Sequence, residues 1–185
     1  AREAQAGHPK PLSDLLREVL EAIAPYRDKY GRDIPVFVAG GISDGAEMAR
    51  YMKEGAAGAQ FATRFIATEE CDAAPAYKQR LLDARDEDIA IVQSPVGLPG
   101  RALRSPLIRR VEAGTQPPVE RCMKCLSACD YKTAPYCISR ALIAAVRGDW
   151  ENGLFFCGAG AGKVNRLSTV RAQMEQIMNE WRAAQ

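Results

Sequence analysis

Three places in this chain combine residue types that can do chemistry. The first is the glycine pair Gly40-Gly41, set against the stretch Gln60-Phe61-Ala62-Thr63 about twenty residues later. Backbone N–H groups at a glycine turn, with the end of the next strand beside them, form a pocket for an anion such as a phosphate. The plainer reading is a tight turn that needs glycine for its backbone angles. The second place is Cys122, Cys125, Cys129 and Cys137, spaced C-x₂-C-x₃-C-x₇-C. Four thiolates could hold tetrahedral zinc or an iron–sulfur cluster. The spacing matches neither the ferredoxin run nor a paired C-x₂-C module, and reduced thiols packed under a loop are the alternative. The third is His8, the single histidine. Its ring titrates near neutrality and suits proton transfer, although a lone histidine is more often a surface or packing residue.

A fourth stretch, GLFFCGAGAGKV at 153–164, imitates a phosphate-binding loop without meeting its rule. The motif G-x₄-G-K-[ST] needs glycine where Cys157 stands and Ser or Thr where Val164 stands. It reads as a tight glycine loop that lets the C-terminal segment approach the rest of the chain closely. Cys71 reads as a buried thiol, because no second histidine exists to activate it.

These residues need elements to position them. The apolar run Ile34–Ala39 suits a buried strand, and Asp44 with Glu47 forms an N-cap with its reciprocal partner. A helix follows, with Ala46, Ala49 and Met52 on one stripe and Gly55 at its end. A second strand runs from Ala56 to Ala62 and ends at Thr63-Arg64. Strand, glycine turn, helix and strand make a βαβ crossover, which implies parallel pairing. Upstream, Leu12, Leu15, Leu16, Val19, Leu20 and Ile23 predict a helix over 12–29 with Gly31 beyond its end. Downstream, the pattern predicts a helix over 75–84, a short strand over 89–92 and an ordered Pro/Gly loop containing Arg101 and Arg104. Helices over 138–147, closed by Gly148, and over 167–181 complete the chain; the last is a docking helix.

A net charge of +2, with both signs interspersed, gives no basic surface for nucleic acid or an acidic membrane. No apolar run approaches the ~20 residues that a membrane span needs. The expectation is a soluble, cytoplasmic protein with a small-molecule substrate.

The segments VAGGISDG and GAAGAQFATRFIATEECDA closely resemble the nitronate monooxygenase family, also called 2-nitropropane dioxygenase-like: FMN-dependent (β/α)₈ barrel enzymes. Members usually carry AAGGI and GVQMGTRF, so Ala62 stands where the family has glycine. The resemblance implies that Gly40, Gly41, Gln60, Phe61, Ala62 and Thr63 bind FMN, with the Thr63 hydroxyl reaching its phosphate. Family members also carry AGGH, with the histidine over the flavin as catalytic base. Gly7-His8 matches, Gln5 and Ala6 replace the usual Ala-Gly, and His8 takes the catalytic role. One branch of the family ends in a similar cysteine-bearing block followed by PYCI.

A complete barrel takes about 250 residues, whereas this chain has 185. The expected fold is therefore α/β: the C-terminal portion of a TIM-type barrel followed by a smaller, cysteine-containing, mostly helical tail. The expected divisions are 1–88 for the barrel part, 89–118 for a segment covering the flavin, and 119–185 for the tail. The implied chemistry is oxidation of an alkyl nitronate by O₂ to a carbonyl compound and nitrite, with self-association possible. Two rivals are a flavin reductase of enoyl thioesters or quinones driven by NAD(P)H, and a non-catalytic metal-binding fragment.

Overall fold

A computed structural model describes residues 10–95, 97, 99–127 and 129–185. The leucine-rich periodicity near the start forms α1 (Leu12–Tyr30), which buries Leu16. Gly31 ends it in the left-handed conformation, φ 59°, and donates its N–H to the Arg27 carbonyl at 2.8 Å. Only glycine adopts that conformation without a steric penalty. Arg27 then reaches across the turn to the Ile34 carbonyl at 3.0 Å, which aims the chain into the next strand.

That strand, β1 (Phe37–Ala39), is followed by α2 (Gly45–Lys53) and β2 (Gly58–Gln60). The two strands pair in parallel, with Phe37 opposite Gly58, Val38 opposite Ala59 and Ala39 opposite Gln60. The expected βαβ unit is present, but its strands are shorter than Ile34–Ala39 and Ala56–Ala62. Each is held only over the stretch where it faces its partner; one further bond, Ala57 N–H to the Val36 carbonyl at 2.7 Å, extends the contact. Leu16, Val38, Ile42, Tyr51 and Ala56 form the core beneath this unit.

Beyond β2 lie a short α3 (Thr63–Ile66) and α4 (Pro75–Leu82). The Pro/Gly-rich stretch read as a loop contains more order than expected. β3 (Ile89–Val92) pairs antiparallel with β4 (Gly100–Leu103), and α5 (Pro106–Glu112) follows. Pro106 occupies the first turn of α5, where its missing N–H costs nothing. Among the described residues of 113–137 there is no helix or strand, and helix resumes with α6 (Ile138–Val146).

The hairpin, α5 and α6 share a core of Val92, Ala102, Leu107, Ile108, Tyr136 and Leu154. A third cluster surrounds Phe155, which is fully buried with its ring edge-on to Tyr77 at 4.7 Å. The last helix, α7 (Val170–Ala183), docks against α2 as expected. It comes so close that a Cβ added at Gly45 would lie 2.0 Å from the Ile177 carbonyl oxygen and 2.5 Å from the Trp181 nitrogen. Among the described residues no helix is long and apolar enough to cross a membrane.

Candidate functional site

Gly40 and Gly41 leave the C-terminal end of β1 with φ of 97° and 78°, so both glycines are required by the backbone. A Cβ built at Gly40 would meet nothing within 4 Å. Its solvent side is open for a ligand to approach the peptide. Gln60, Phe61, Ala62 and Thr63 leave the C-terminal end of the adjacent β2. Because the pairing is parallel, both ends point the same way, and all six residues line one pocket of about 540 Å³. Ala62 has a negative φ of −132°, so this position does not call for the left-handed backbone that favours glycine.

The third wall comes from far along the chain. Phe156, Cys157, Gly158, Ala159 and Gly160 line the same pocket. Gly158 donates its N–H to Thr63 Oγ1 at 2.8 Å, which fixes the threonine rotamer and leaves the hydroxyl proton available to a ligand. A Cβ at Gly160 would stand 3.0 Å from that of Ser43, so the glycine permits the close approach expected of this loop. The loop's role as a pocket wall is not readable from GAGAG alone. The signal that could have found it is the apolar run Leu154-Phe155-Phe156 entering the glycines, as a strand enters a strand-end loop.

A polar clamp holds the glycine turn. Asp44 Oδ1 accepts the Glu47 N–H at 2.8 Å, the expected N-cap bond. The reciprocal bond falls one residue earlier than a capping box prescribes: Glu47 Oε2 accepts from the Ser43 N–H at 2.6 Å and the Ser43 hydroxyl at 3.0 Å. Lys163, the lysine of the imitation phosphate loop, donates to Ser43 Oγ and Glu47 Oε1, both at 3.0 Å. It is a strut from the C-terminal loop to α2. Burial pushes the Glu47 carboxyl up, but the Ser43 N–H and Lys163 outweigh it and hold the group below its ordinary value. Arg64 donates to the Ser43 carbonyl at 2.8 Å and faces Glu180 of α7 at 3.7 Å. Glu180 also accepts the Gly45 N–H at 2.9 Å. α7 thereby supports the turn directly.

Lys10, Arg64 and Arg101 bring positive charge to the pocket. Arg101 and Arg104 part company: Arg101 lines the pocket, while Arg104 pairs with Glu112 at 3.6 Å. Burial pushes the Cys157 thiol up to about 12 despite Arg101, so it is protonated at neutral pH and no nucleophile. His8 lies outside the described residues.

The four cysteines 122, 125, 129 and 137 line a second, smaller pocket together with Tyr136 and Ile138. Desolvation pushes the Cys129 thiol up, and the thiols of Cys122, Cys125 and Cys137 add to the effect, as expected if the four face one another. Among the described residues, however, no three ligating side chains stand close enough to hold a single metal ion. The sequence spacing brings the thiols together without closing the preorganised tetrahedron that zinc would need.

A parallel βαβ unit with a pocket at its strand ends, lined in part by lysine and arginine, defines an α/β protein. The chain belongs to the nitronate monooxygenase family, whose model matches residues 3–180. This is a family of flavin-dependent oxidoreductases. A (3aS,4S,5R,7aS)-5-hydroxy-7a-methyl-1-oxo-octahydro-1H-indene-4-carboxyl-CoA dehydrogenase from Mycobacterium tuberculosis is 36% identical over 112 residues, covering 60% of this chain and 30% of the relative. The structure of FabK from Thermotoga maritima superposes with a TM-score of 0.73 at 28% identity, covering 97% of this chain and 52% of that one. A nitroalkane oxidase from Streptomyces ansochromogenes gives a TM-score of 0.67 at 27% identity, covering 94% and 44%. The chain thus spans about half the length of these two solved structures and less than a third of its curated relatives.

Proposed function

We propose that this chain is part of an FMN-dependent oxidoreductase that oxidises alkyl nitronates with O₂. The β1–α2–β2 unit would be one section of a (β/α)₈ barrel in the complete protein. The observation that carries this reading is the meeting of two adjacent strand ends, Gly40-Gly41 and Ala62-Thr63, on one pocket. Its volume, about 540 Å³, falls within the range of cofactor sites. An open backbone face at Gly40, a hydroxyl at Thr63 and nearby cations fit a phosphate-bearing flavin. Gly40, Gly41, Ala62 and Thr63 hold its phosphate; Gln60 and Phe61 line the approach; Phe156 and Ala159 exclude water.

When bound, FMN supplies the electron transfer between substrate and oxygen. Overall, two nitronates and one O₂ would give two carbonyl compounds and two nitrites, so that each oxygen atom of O₂ ends on a carbon and no further reductant is needed. His8 takes or relays the proton on the carbon next to the nitro group, a task suited to a group titrating near neutrality. Cys157 stays protonated and supports the wall.

In the full-length protein, His8→Asn should keep its flavin. It should lower turnover of a neutral nitroalkane, which must lose a proton, at least 10²-fold more than turnover of a preformed nitronate. Equal losses on both substrates would give His8 a positioning role instead. A second reading is reduction of enoyl thioesters or quinones by NAD(P)H on the same flavin, favoured by the 36% identity to a carboxyl-CoA dehydrogenase. Flavin bleaching by NADH, followed by reoxidation with an enoyl thioester and no nitrite from nitronate, would establish that reading over the first.

A further inference from the structure

Residues 113–135 pose a problem of stability. Between α5 and Tyr136 not one described residue is buried, and none of the described residues there is in a helix or strand. A segment this long orders a backbone at a cost of about 1–2 kcal/mol per residue, with no apolar core to offset it. Loops of such length within compact domains are uncommon and are usually either functional or linkers. Small loop-rich segments that lack a core are commonly held by disulfides or a metal. Here the cysteines are free thiols.

The geometry points to a thiolate-ligated metal centre held by Cys122, Cys125, Cys129 and Cys137. All four line one pocket. Its wall is anchored at one end: Tyr136 is buried and donates its hydroxyl to the Gln93 carbonyl at 3.0 Å, and Cys137 caps the nine-residue α6. The sulfurs are supplied with donors. The Lys124 N–H points at Cys122 Sγ at 3.3 Å, and the Ser139 hydroxyl lies 3.0 Å from Cys125 Sγ. Lys124 takes φ 52°, and it is the only non-glycine among the described residues with positive φ. That turn lies between Cys122 and Cys125 in the chain. N–H groups aimed at sulfur stabilise a thiolate and tune a metal bound to it. Reduced structural thiols need none of this; they are ordinarily buried among apolar side chains, whereas Cys125 is exposed.

The thiols as they stand are not closed around one ion. Zinc would draw them inwards to Zn–S bonds of about 2.3 Å, and an iron–sulfur core would need the thiols to rearrange around it. Both centres use the same four thiolates, which lose their protons on binding. The proposal does not depend on the flavin reading.

The test uses the full-length protein, purified anaerobically and assayed for iron, acid-labile sulfide and zinc, with electron paramagnetic resonance after dithionite reduction to separate a cluster from flavin. Either iron with sulfide or stoichiometric zinc supports the centre and identifies it. Cys122→Ser/Cys125→Ser should retain less than a tenth of that metal while flavin content stays unchanged. Should the double variant fail to fold, differential alkylation of the wild-type protein serves in its place. The four cysteines should resist iodoacetamide until a chelator is added, then react together, with Cys71 as internal reference. Metal-free protein after anaerobic reconstitution with iron and sulfide, and separately with zinc, would overturn the proposal. So would four cysteines that alkylate at once without chelator.

Discussion

Two glycines beside the pocket are glycine for opposite reasons, and substitution separates them. At Gly40 the added methyl has room, but the backbone sits at φ 97°. Gly40→Ala should therefore cost about 1–3 kcal/mol, the ordinary penalty for an L-residue in a sparsely populated region. Any relaxation of the turn would move the peptides that face the ligand, so flavin retention should fall with it. At Gly45 the backbone is ordinary and the space is absent, since the methyl would strike the backbone of α7. Gly45→Ala should cost more than Gly40→Ala, because the whole of α7 must shift, with typical overpacking penalties of about 1–3 kcal/mol as a lower guide. Urea denaturation of the two variants, with flavin content measured alongside, checks the order; equal losses would refute the distinction. Both residues are visible in the sequence as glycines, yet only Gly40 announced its reason. What Gly45 touches lies 132 residues away at Ile177, and no local pattern carries that information.

The elements around the turn make stability depend on pH. Glu47 and Glu180 are both held below the ordinary carboxylate value of 4.5: burial opposes this, while the N–H groups of Ser43 and Gly45, with Lys163, Gln176 and Arg64, prevail. A carboxyl with a lowered folded-state pKa contributes stability that is fully present above its unfolded value and is lost as pH falls through the folded one. The melting temperature should thus hold from neutrality down to about pH 5 and decline below about pH 4.5. Glu47→Gln and Glu180→Gln should each flatten part of that decline; thermal melts that keep the wild-type slope would show the clamp to be inert. At this scale the sequence was readable where periodicity was strong. α1 and α7 follow directly from their apolar stripes, and Asp44 from its position before the helix. β4 and α5 were hidden because Pro99, Gly100 and Pro106 look like breakers, although Pro106 opens a helix. The missed signal was Leu107, Ile108 and Val111 after Ser-Pro, half a helical stripe behind a helix start. The clamp was legible only as an N-cap, since Lys163 and Glu180 join it through the tertiary fold.

Taken whole, the molecule presents exposed apolar strand faces. Phe37 of β1 is 66% exposed beside the ladder, and Ile91 of β3 is 50% exposed. An apolar strand face and an unpaired strand edge invite association. Residues 1–185 expressed alone should therefore self-associate or hold flavin weakly, as sedimentation velocity and flavin stoichiometry would reveal. A monodisperse monomer retaining one FMN per chain would overturn the barrel-section reading. The recognisable motifs lie on the two strand-end loops, and these were the most legible part of the site. The third wall was not legible, because a glycine loop's partner is set by packing between distant segments rather than by its own residues.

That third wall has a consequence for the order of events in the cell. Thr63 and Gly158, joined by one hydrogen bond, are 95 residues apart. At translation rates of about 5–20 residues per second, roughly 5–20 seconds separate the synthesis of the first two walls from the third. During that interval the glycine turn exists without Lys163 to brace it and without Gly158 to fix Thr63. The nascent chain would present only a shallow, half-walled groove to a ligand. Durable capture of the cofactor proposed for this pocket would then wait until the wall from Phe156 to Gly160 has been made, tying cofactor loading to a segment synthesised long after the glycine turn.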